Sequence, residues 1–154
     1  MHAADVAVEL PLLPRTSSIF AALRLIGEHD QLAVVITDDG GRVKAIASAL
    51  EITRLVLPDY AVEDLNLAGL LDDASLADLF AAAEARTLGD AIDAGDLGVR
   101  GVGEIDPDAT MLETACHMAA EKAQILRVRG ADPERFVALP AVIDALIALR
   151  GGNA

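Results

Sequence analysis

The stretch LLPRTSSIFAALRLIGEHDQLAVVITDDGGRVKAIASALEITRLV, residues 12–56, and the stretch IDPDATMLETACHMAAEKAQILRVRGADPERFVALPAVIDALIAL, residues 105–149, read as one module written twice. Laid over each other at a fixed offset of 93, they share eight identities over 45 positions, including Pro14/Pro107, Glu28/Glu121, Asp39/Asp132 and Arg42/Arg135. Conservative pairs add to these: Leu12/Ile105, Ser17/Thr110, Ile19/Leu112, Ile46/Leu139, Leu50/Ile143 and Glu51/Asp144. A repeat of this length cannot bury its apolar face alone. The two copies are therefore expected to pack together about a pseudo-two-fold axis, with function at the interface between them.

Working outward from the first copy, Leu12-Leu13 is extended and ended by Pro14. Ser17 is read as a helix cap, with Ile19, Leu23, Leu25 and Ile26 at helical spacing after it. Leu32 to Ile36 is a β-branched run short enough for a buried strand. Asp38-Asp39-Gly40-Gly41 supplies a hairpin turn, and Arg42 to Ala47 the return strand. Ser48 caps a helix stopped before Pro58. The second copy repeats the order: a helix from Thr110, strands at 125–128 and 136–139, a turn at Asp132-Pro133, and a last helix from about 141. Pro140 sits at that helix's start, where a missing N–H costs nothing. The chain thus divides into a first repeat at 1–58, an acidic helical connector at 59–104 and a second repeat at 105–154. Asp73 to Ala85 is the connector's helix. The fold class is mixed α+β, built from tandem β-α-β-β-α repeats.

Charge is spread unevenly. The net value is −13. Each repeat carries seven acids and five bases, whereas 59–104 holds eleven acids against Arg86 and Arg100. A sequence-independent nucleic-acid binder needs a basic surface to release counterions, so nucleic acid is not an expected partner. No apolar run of 18 residues occurs, so a membrane-spanning helix is not expected. The beginning, Met1-His2-Ala3-Ala4-Asp5, lacks the pattern of a secretory signal. With Cys116 as the single cysteine, a reducing cytoplasm is the expected setting. Cys116 itself is read as core.

The repeat order resembles the cystathionine-β-synthase (CBS) domain pair, or Bateman module. The family's second strand ends in glycine, two apolar residues, threonine or serine, two variable residues and aspartate. Here Ala45-Ile46-Ala47-Ser48-Ala49-Leu50-Glu51 is similar, with alanine for glycine and glutamate for aspartate. The second copy's Ala138-Leu139-Pro140-Ala141-Val142-Ile143-Asp144 keeps an acid and lacks the hydroxyl. The resemblance implies a stand-alone regulatory module. It would require no cofactor and bind an adenine nucleotide (AMP, ADP or ATP) in the cleft between repeats.

A carboxylate one turn into a helix can accept bonds from both vicinal hydroxyls of a ribose. A serine at the helix start offers a hydroxyl and nearby N–H groups to a phosphate. Ser48 and Glu51 are the expected pair, with Ala45 beside them and the Asp144 cleft weaker or empty. The bland reading is a cap and a dipole-stabilising first-turn acid. Phosphate charge falls to Arg15, Lys44, Lys122, Arg127 or Arg129. Arg127 and Arg129 interrupt the second buried strand at the positions of Val34 and Ile36. They either lie on the outer face of an edge strand or face the cleft to bind an anion.

His2, His29, His117 and Cys116 lack metal-ligand spacing. No nucleophile with its base, and no phosphate loop, is present, so an enzyme is not expected. Connector 59–104 is expected to hold no site. A homodimer is expected through apolar helix residues Ile19, Leu23, Ile52, Leu55 and their counterparts. A degenerate pair serving as a ligand-free dimerisation or docking module is the rival reading.

Overall fold

The computed structural model describes residues 1–152; Asn153 and Ala154, which close the expected second repeat, lie outside the described residues. In chain order the elements are α1 (Ala3–Val6), β1 (Leu12–Pro14), α2 (Ile19–His29), β2 (Ala33–Thr37), β3 (Val43–Ser48) and α3 (Ala49–Val56). Then come α4 (Asp59–Glu63), α5 (Leu65–Ala68), α6 (Asp73–Ala85) and α7 (Leu88–Asp93). The last group is β4 (Glu104–Ile105), α8 (Met111–Glu121), β5 (Ile125–Val128), β6 (Phe136–Ala138) and α9 (Leu139–Arg150). The fold is mixed α+β, with two three-stranded sheets of order β1-β2-β3 and β4-β5-β6.

Each sheet joins a parallel to an antiparallel pair. β1 runs parallel to β2, Leu12 facing Val35, and β2 runs antiparallel to β3, Val34 facing Ala47. β4, β5 and β6 repeat this, with Ile105 facing Val128 and Leu126 facing Val137. The first hairpin is held by Asp38, whose Oδ1 accepts from the N–H of Gly40 at 2.9 Å and of Arg42 at 3.0 Å. Gly41, at φ 77°, takes the left-handed turn position that a side chain would strain.

Helix caps fix the true correspondence between the copies. The Ser18 hydroxyl accepts from Ala21 N–H and the Thr110 hydroxyl from Glu113 N–H, and these caps lie 92 residues apart. The left-handed C-caps Asp30 and Lys122 keep that spacing of 92. Ser48 and Ala138, which occupy the N-cap positions of α3 and α9, are only 90 apart. A gapless offset of 93 therefore fails. The first helix is capped by Ser18, not Ser17, and the second hairpin is two residues shorter than the first. Part of that difference is a bulge. Ile36 faces Ala45 and Thr37 faces Val43, which leaves Lys44 as an extra residue on β3; such a residue is re-aimed out of the regular alternation.

The packing also divides the chain elsewhere than at the repeat boundaries. Two compact units form, one of Pro11–Gly101 and the other of Met1–Leu10 with residues from Val102 onward. In the first unit, Ile19, Ala22, Val34, Ile36, Ala47 and Ile52 are buried together with Leu88, Ala91 and Leu97 from beyond the repeat. In the second, Ala3 and Ala7 join Ile105, Met111, Leu126, Val137 and Val142. The capping follows the same logic. Thr87 caps α7 in a reciprocal capping box with Asp90, and the His2 N–H bonds to the Asp5 carboxylate at 2.8 Å. The second half of 59–104 is thus core material for the first unit and more than a connector. Its first half carries the expected helix over Asp73–Ala85, where Phe80 packs against Phe20 with ring centroids 5.3 Å apart.

Two expectations about surfaces are overturned. Ile19 and Ile52 are fully buried, and Leu23 and Leu55 pack half-buried against the same core, so these residues do not form a face for a second copy. Cys116 is exposed, because α8 turns Met111, Thr114 and Met118 inward instead.

Leu88, fully buried although it lies outside either repeat, tests this division. Leu88→Ala is expected to cost about 2–5 kcal/mol in urea unfolding, as much as a core residue within the repeat. Acid sensitivity provides a second test. The Thr87 N–H, followed by its hydroxyl, holds the Asp90 carboxyl below its ordinary value, and the Arg42 N–H does the same for Asp38. Depressed values mean that both contributions are complete above an ordinary aspartate pKa of about 3.9 and are lost as pH falls through the lower folded values. Melting temperature should drop below about pH 4, and less steeply in Asp90→Asn.

Candidate functional site

Ser48 and Glu51 sit where β3 becomes α3. The Ser48 hydroxyl accepts from the Glu51 N–H at 3.1 Å, which uses one of its two lone pairs and leaves its own hydrogen to donate. Glu51 is exposed on the first turn, and its carboxylate lies beside Gly98, where an added Cβ would stand 3.6 Å from Oε2. Glu51 has no ion-pair partner among the described residues, so both oxygens can accept.

Nothing equivalent exists among the described residues of the second unit. Position 90 residues after Ser48 is Ala138, and the first-turn position matching Glu51 is Ala141. α9 begins at Leu139, earlier than the sequence suggests, because the Leu139 N–H bonds the Gln124 carbonyl at 2.9 Å. Asp144 therefore lies in the helix's second turn, where Arg54 stands in α3, and is not the counterpart of Glu51.

Arg127 and Arg129 are also placed differently from expectation. With the copies aligned by their caps they match Val35 and Thr37, while Leu126 and Val128 retain the buried positions of Val34 and Ile36. β5 is the central strand of its sheet and not an edge. Its charged face is tolerated because carboxylates flank it. Arg127 makes a bidentate pair with Glu134, Nε to Oε2 and Nη2 to Oε1 both at 2.7 Å, and reaches Glu104 at 3.1 Å. Arg129 bonds Glu104 at 3.2 Å and also Asp106. Hydrogen bonding to Glu134 raises the Arg127 pKa despite partial burial. Both guanidiniums are neutralised within their own unit.

The remaining expected residues, Arg15, Lys44 and Ala45, meet in a pocket of about 270 Å3 in the first unit. Ile36, Thr37, Asp38, Ile92, Val99, Arg100 and Gly101 complete it. Arg15 is held from the α7 side: its Nη2 bonds Asp93 at 2.7 Å, and its carbonyl accepts from the Gly89 N–H at 2.8 Å. Glycine at 89 leaves room for the Arg15 side chain as it lies, since a Cβ there would fall 2.7 Å from Arg15 Nε. Arg100 arrives through an antiparallel pair with β3. The Ile46 N–H bonds the Arg100 carbonyl at 2.8 Å and the Arg100 N–H returns to Ile46 at 3.0 Å.

The pocket is apart from Ser48 and Glu51. Ala45 faces the helices with its partner Ile36, while strand alternation turns Ile46 and Ser48 to the other side. From Lys44 to Ser48 the strand rises roughly 13 Å. Of the eight expected site residues, three are brought together here, two stand at the α3 start, and three lie in the second unit. Arg100 was missed because its charge is swamped by the connector's acids. The signal available in the sequence was local: after Asp96, Arg100 is the only charged residue before Glu104.

Comparison with known proteins supports the fold. A CBS-domain-containing protein of unknown function from Kribbella flavida matches with a TM-score of 0.77 at 18% identity, over 95% of this chain and 99% of that one. CBSX2, a CBS-pair protein from Arabidopsis thaliana, matches with a TM-score of 0.66 at 15% identity, over 97% of this chain and 96% of that one. CBSX2 in complex with AMP matches with a TM-score of 0.62 at 16% identity, over 97% and 98%. No protein-family model and no curated protein matches the sequence. The chain has the CBS-pair fold.

The ion-pair network on β5 yields a clear expectation. Arg127→Ala should destabilise the protein by about 1–3 kcal/mol, the cost of leaving charged hydrogen-bond partners unsatisfied. It should leave any nucleotide affinity unchanged. Urea unfolding and calorimetry on the same variant check both halves.

Proposed function

We propose that this chain is a regulatory, non-catalytic module that binds an adenine nucleotide at the start of α3. The observation that carries the reading is the Ser48–Glu51 pair: a capping hydroxyl with its hydrogen unspent and an unpaired first-turn carboxylate, on a CBS-pair fold. The complex of the similarly folded CBSX2 with AMP supports the ligand class. Glu51 would accept from the ribose hydroxyls, and Ser48 would donate to the ligand. Ala138 and Ala141 offer neither group, so the site belongs to one copy. Lys44 stands roughly 13 Å of strand from Ser48, so a nucleotide held at Ser48 and Glu51 would bind its first phosphate without help from Lys44.

A second reading has its own observation. Leu50, Leu112, Ile143 and Ile147 are apolar and exposed on α3, α8 and α9, Leu50 by 79%. Exposed apolar residues on helices suit self-association or docking, and a homodimer through them is compatible with nucleotide binding.

Calorimetry separates nucleotide binding from a ligand-free docking role. Glu51→Ala should weaken AMP binding ten- to a hundredfold, the loss of a charged acceptor worth about 1.5–3 kcal/mol. Ser48→Ala should cost less, about 1 kcal/mol, and Asp144→Ala should cost nothing. No heat with AMP, ADP or ATP in the parent protein would leave the docking module as the function. A loss at Asp144 equal to that at Glu51 would overturn the single-site reading.

A further inference from the structure

We propose that the pocket lined by Arg15, Lys44, Ala45 and Arg100 is a second binding site, for a small amphiphilic anion with an oxyanion head group on a short apolar body. The nucleotide reading does not require this site, and the site does not depend on it.

Shape and walls set the body of the ligand. Ile36, Ala45, Ile92 and Val99 give apolar surface, with buried Thr37 among them. The volume of about 270 Å3 lies just under the usual range for small-molecule pockets, which begins near about 300 Å3. It therefore has room for a small amphiphile with its head group and is too small for a dinucleotide.

Charge sets the head group. Three bases meet at the rim of a chain whose net charge is −13. Among the described residues, the arginines and lysines in ion pairs are Arg15, Arg24, Arg54, Arg86, Arg127 and Arg129. Lys44 and Arg100 have no carboxylate within ion-pair distance among the described residues. Asp38, the one acid lining the pocket, already spends Oδ1 on the hairpin N–H groups of Gly40 and Arg42. With Arg15 paired to Asp93, Lys44 and Arg100 are the two bases left to meet an anionic head group.

The other copy shows that the pocket is not a by-product of the fold. By the cap-based correspondence, Ala45 becomes Arg135 and Arg15 becomes Pro107, while Lys44, the bulge residue, has no counterpart. Arg100, which pairs with Ile46, becomes Val8, which pairs with Phe136. Not one of the three bases survives. The Arg135 side chain crosses to the Ala7 carbonyl and so takes up the space that Ala45 leaves open. The bulge that re-aims Lys44 is likewise confined to the first hairpin.

Titration calorimetry on the full chain tests the site with butyl phosphate, isovalerate and inorganic phosphate. At least one alkyl anion should saturate the protein at least tenfold more tightly than inorganic phosphate does, because only the alkyl anions fill the apolar walls. Tighter binding of butyl phosphate assigns a phosphomonoester, and tighter binding of isovalerate assigns a carboxylate. Lys44→Ala and Arg100→Ala, both exposed positions, should each weaken binding about tenfold. Ala45→Arg, which copies the second unit, should abolish it while the melting curve stays cooperative. Glu51→Ala should leave it unchanged, so failure of the nucleotide reading and failure of this one give different results. The proposal is overturned if neither alkyl anion binds, or if inorganic phosphate binds as tightly as both. It is equally overturned if Lys44→Ala and Arg100→Ala bind like the parent, or if Glu51→Ala removes the binding.

Discussion

A three-stranded sheet with β2 at its centre leaves the outer edge of β3 unpaired, and the rest of this structure follows from how that edge is closed. Unpaired edge groups left uncovered are a liability. Here the Ile46 backbone pairs with Arg100, and in the other unit the Phe136 backbone pairs with Val8. Neither partner comes from the repeat that it closes. The pairing pulls the preceding short helix, α7 or α1, onto the core, where Leu88 and Ala91 or Ala3 are then buried. The compact unit is therefore larger than the repeat and is assembled from distant stretches of chain.

The same closure explains why two copies of one topology carry different chemistry. The closing segment supplies Arg100 and Gly101 in one unit and Val8 in the other. On the strand itself, Ala45 leaves room where Arg135 fills it. A short side chain, a one-residue bulge and an arginine on the closing segment together make a cationic pocket. Their counterparts make a strut. In the second unit positive charge is placed instead on β5, where Arg127 and Arg129 are locked among Glu104, Asp106 and Glu134. That network serves the sheet, since a bidentate guanidinium–carboxylate pair fixes strand spacing as well as charge.

Ser48 shows how a residue that serves the fold can stay open to the proposed ligand. Its oxygen is needed to cap α3, and its hydrogen is not. The cap fixes the direction of the first turn, and Glu51, one turn on, is then held at the sheet edge beside Gly98. The functional reading and the capping reading of this pair are not rivals, because the cap is what positions the carboxylate.

The sequence alone determined the repeat order, the elements within each repeat, the Asp73–Ala85 helix and the CBS-type resemblance, whereas the short helices α1, α4, α5 and α7 were not legible in it. What was legible follows from local physics: apolar spacing, the Asp38–Gly41 turn, the Asp73–Ala85 helix and the placement of Ser48 before Glu51 are all set by near neighbours. Register between the copies was not legible, because identities in an alanine-rich chain do not show a two-residue difference in a hairpin; only the caps at Ser18, Thr110, Ser48 and Ala138 reveal it. Arg127 read as an interruption since a partner 23 residues away, Glu104, is invisible to periodicity. The pocket was hidden for the same reason. Arg15, Lys44 and Arg100 are brought together by strand pairing and by the glycine contact at residue 89, and such long-range closure is decided only when the chain has folded.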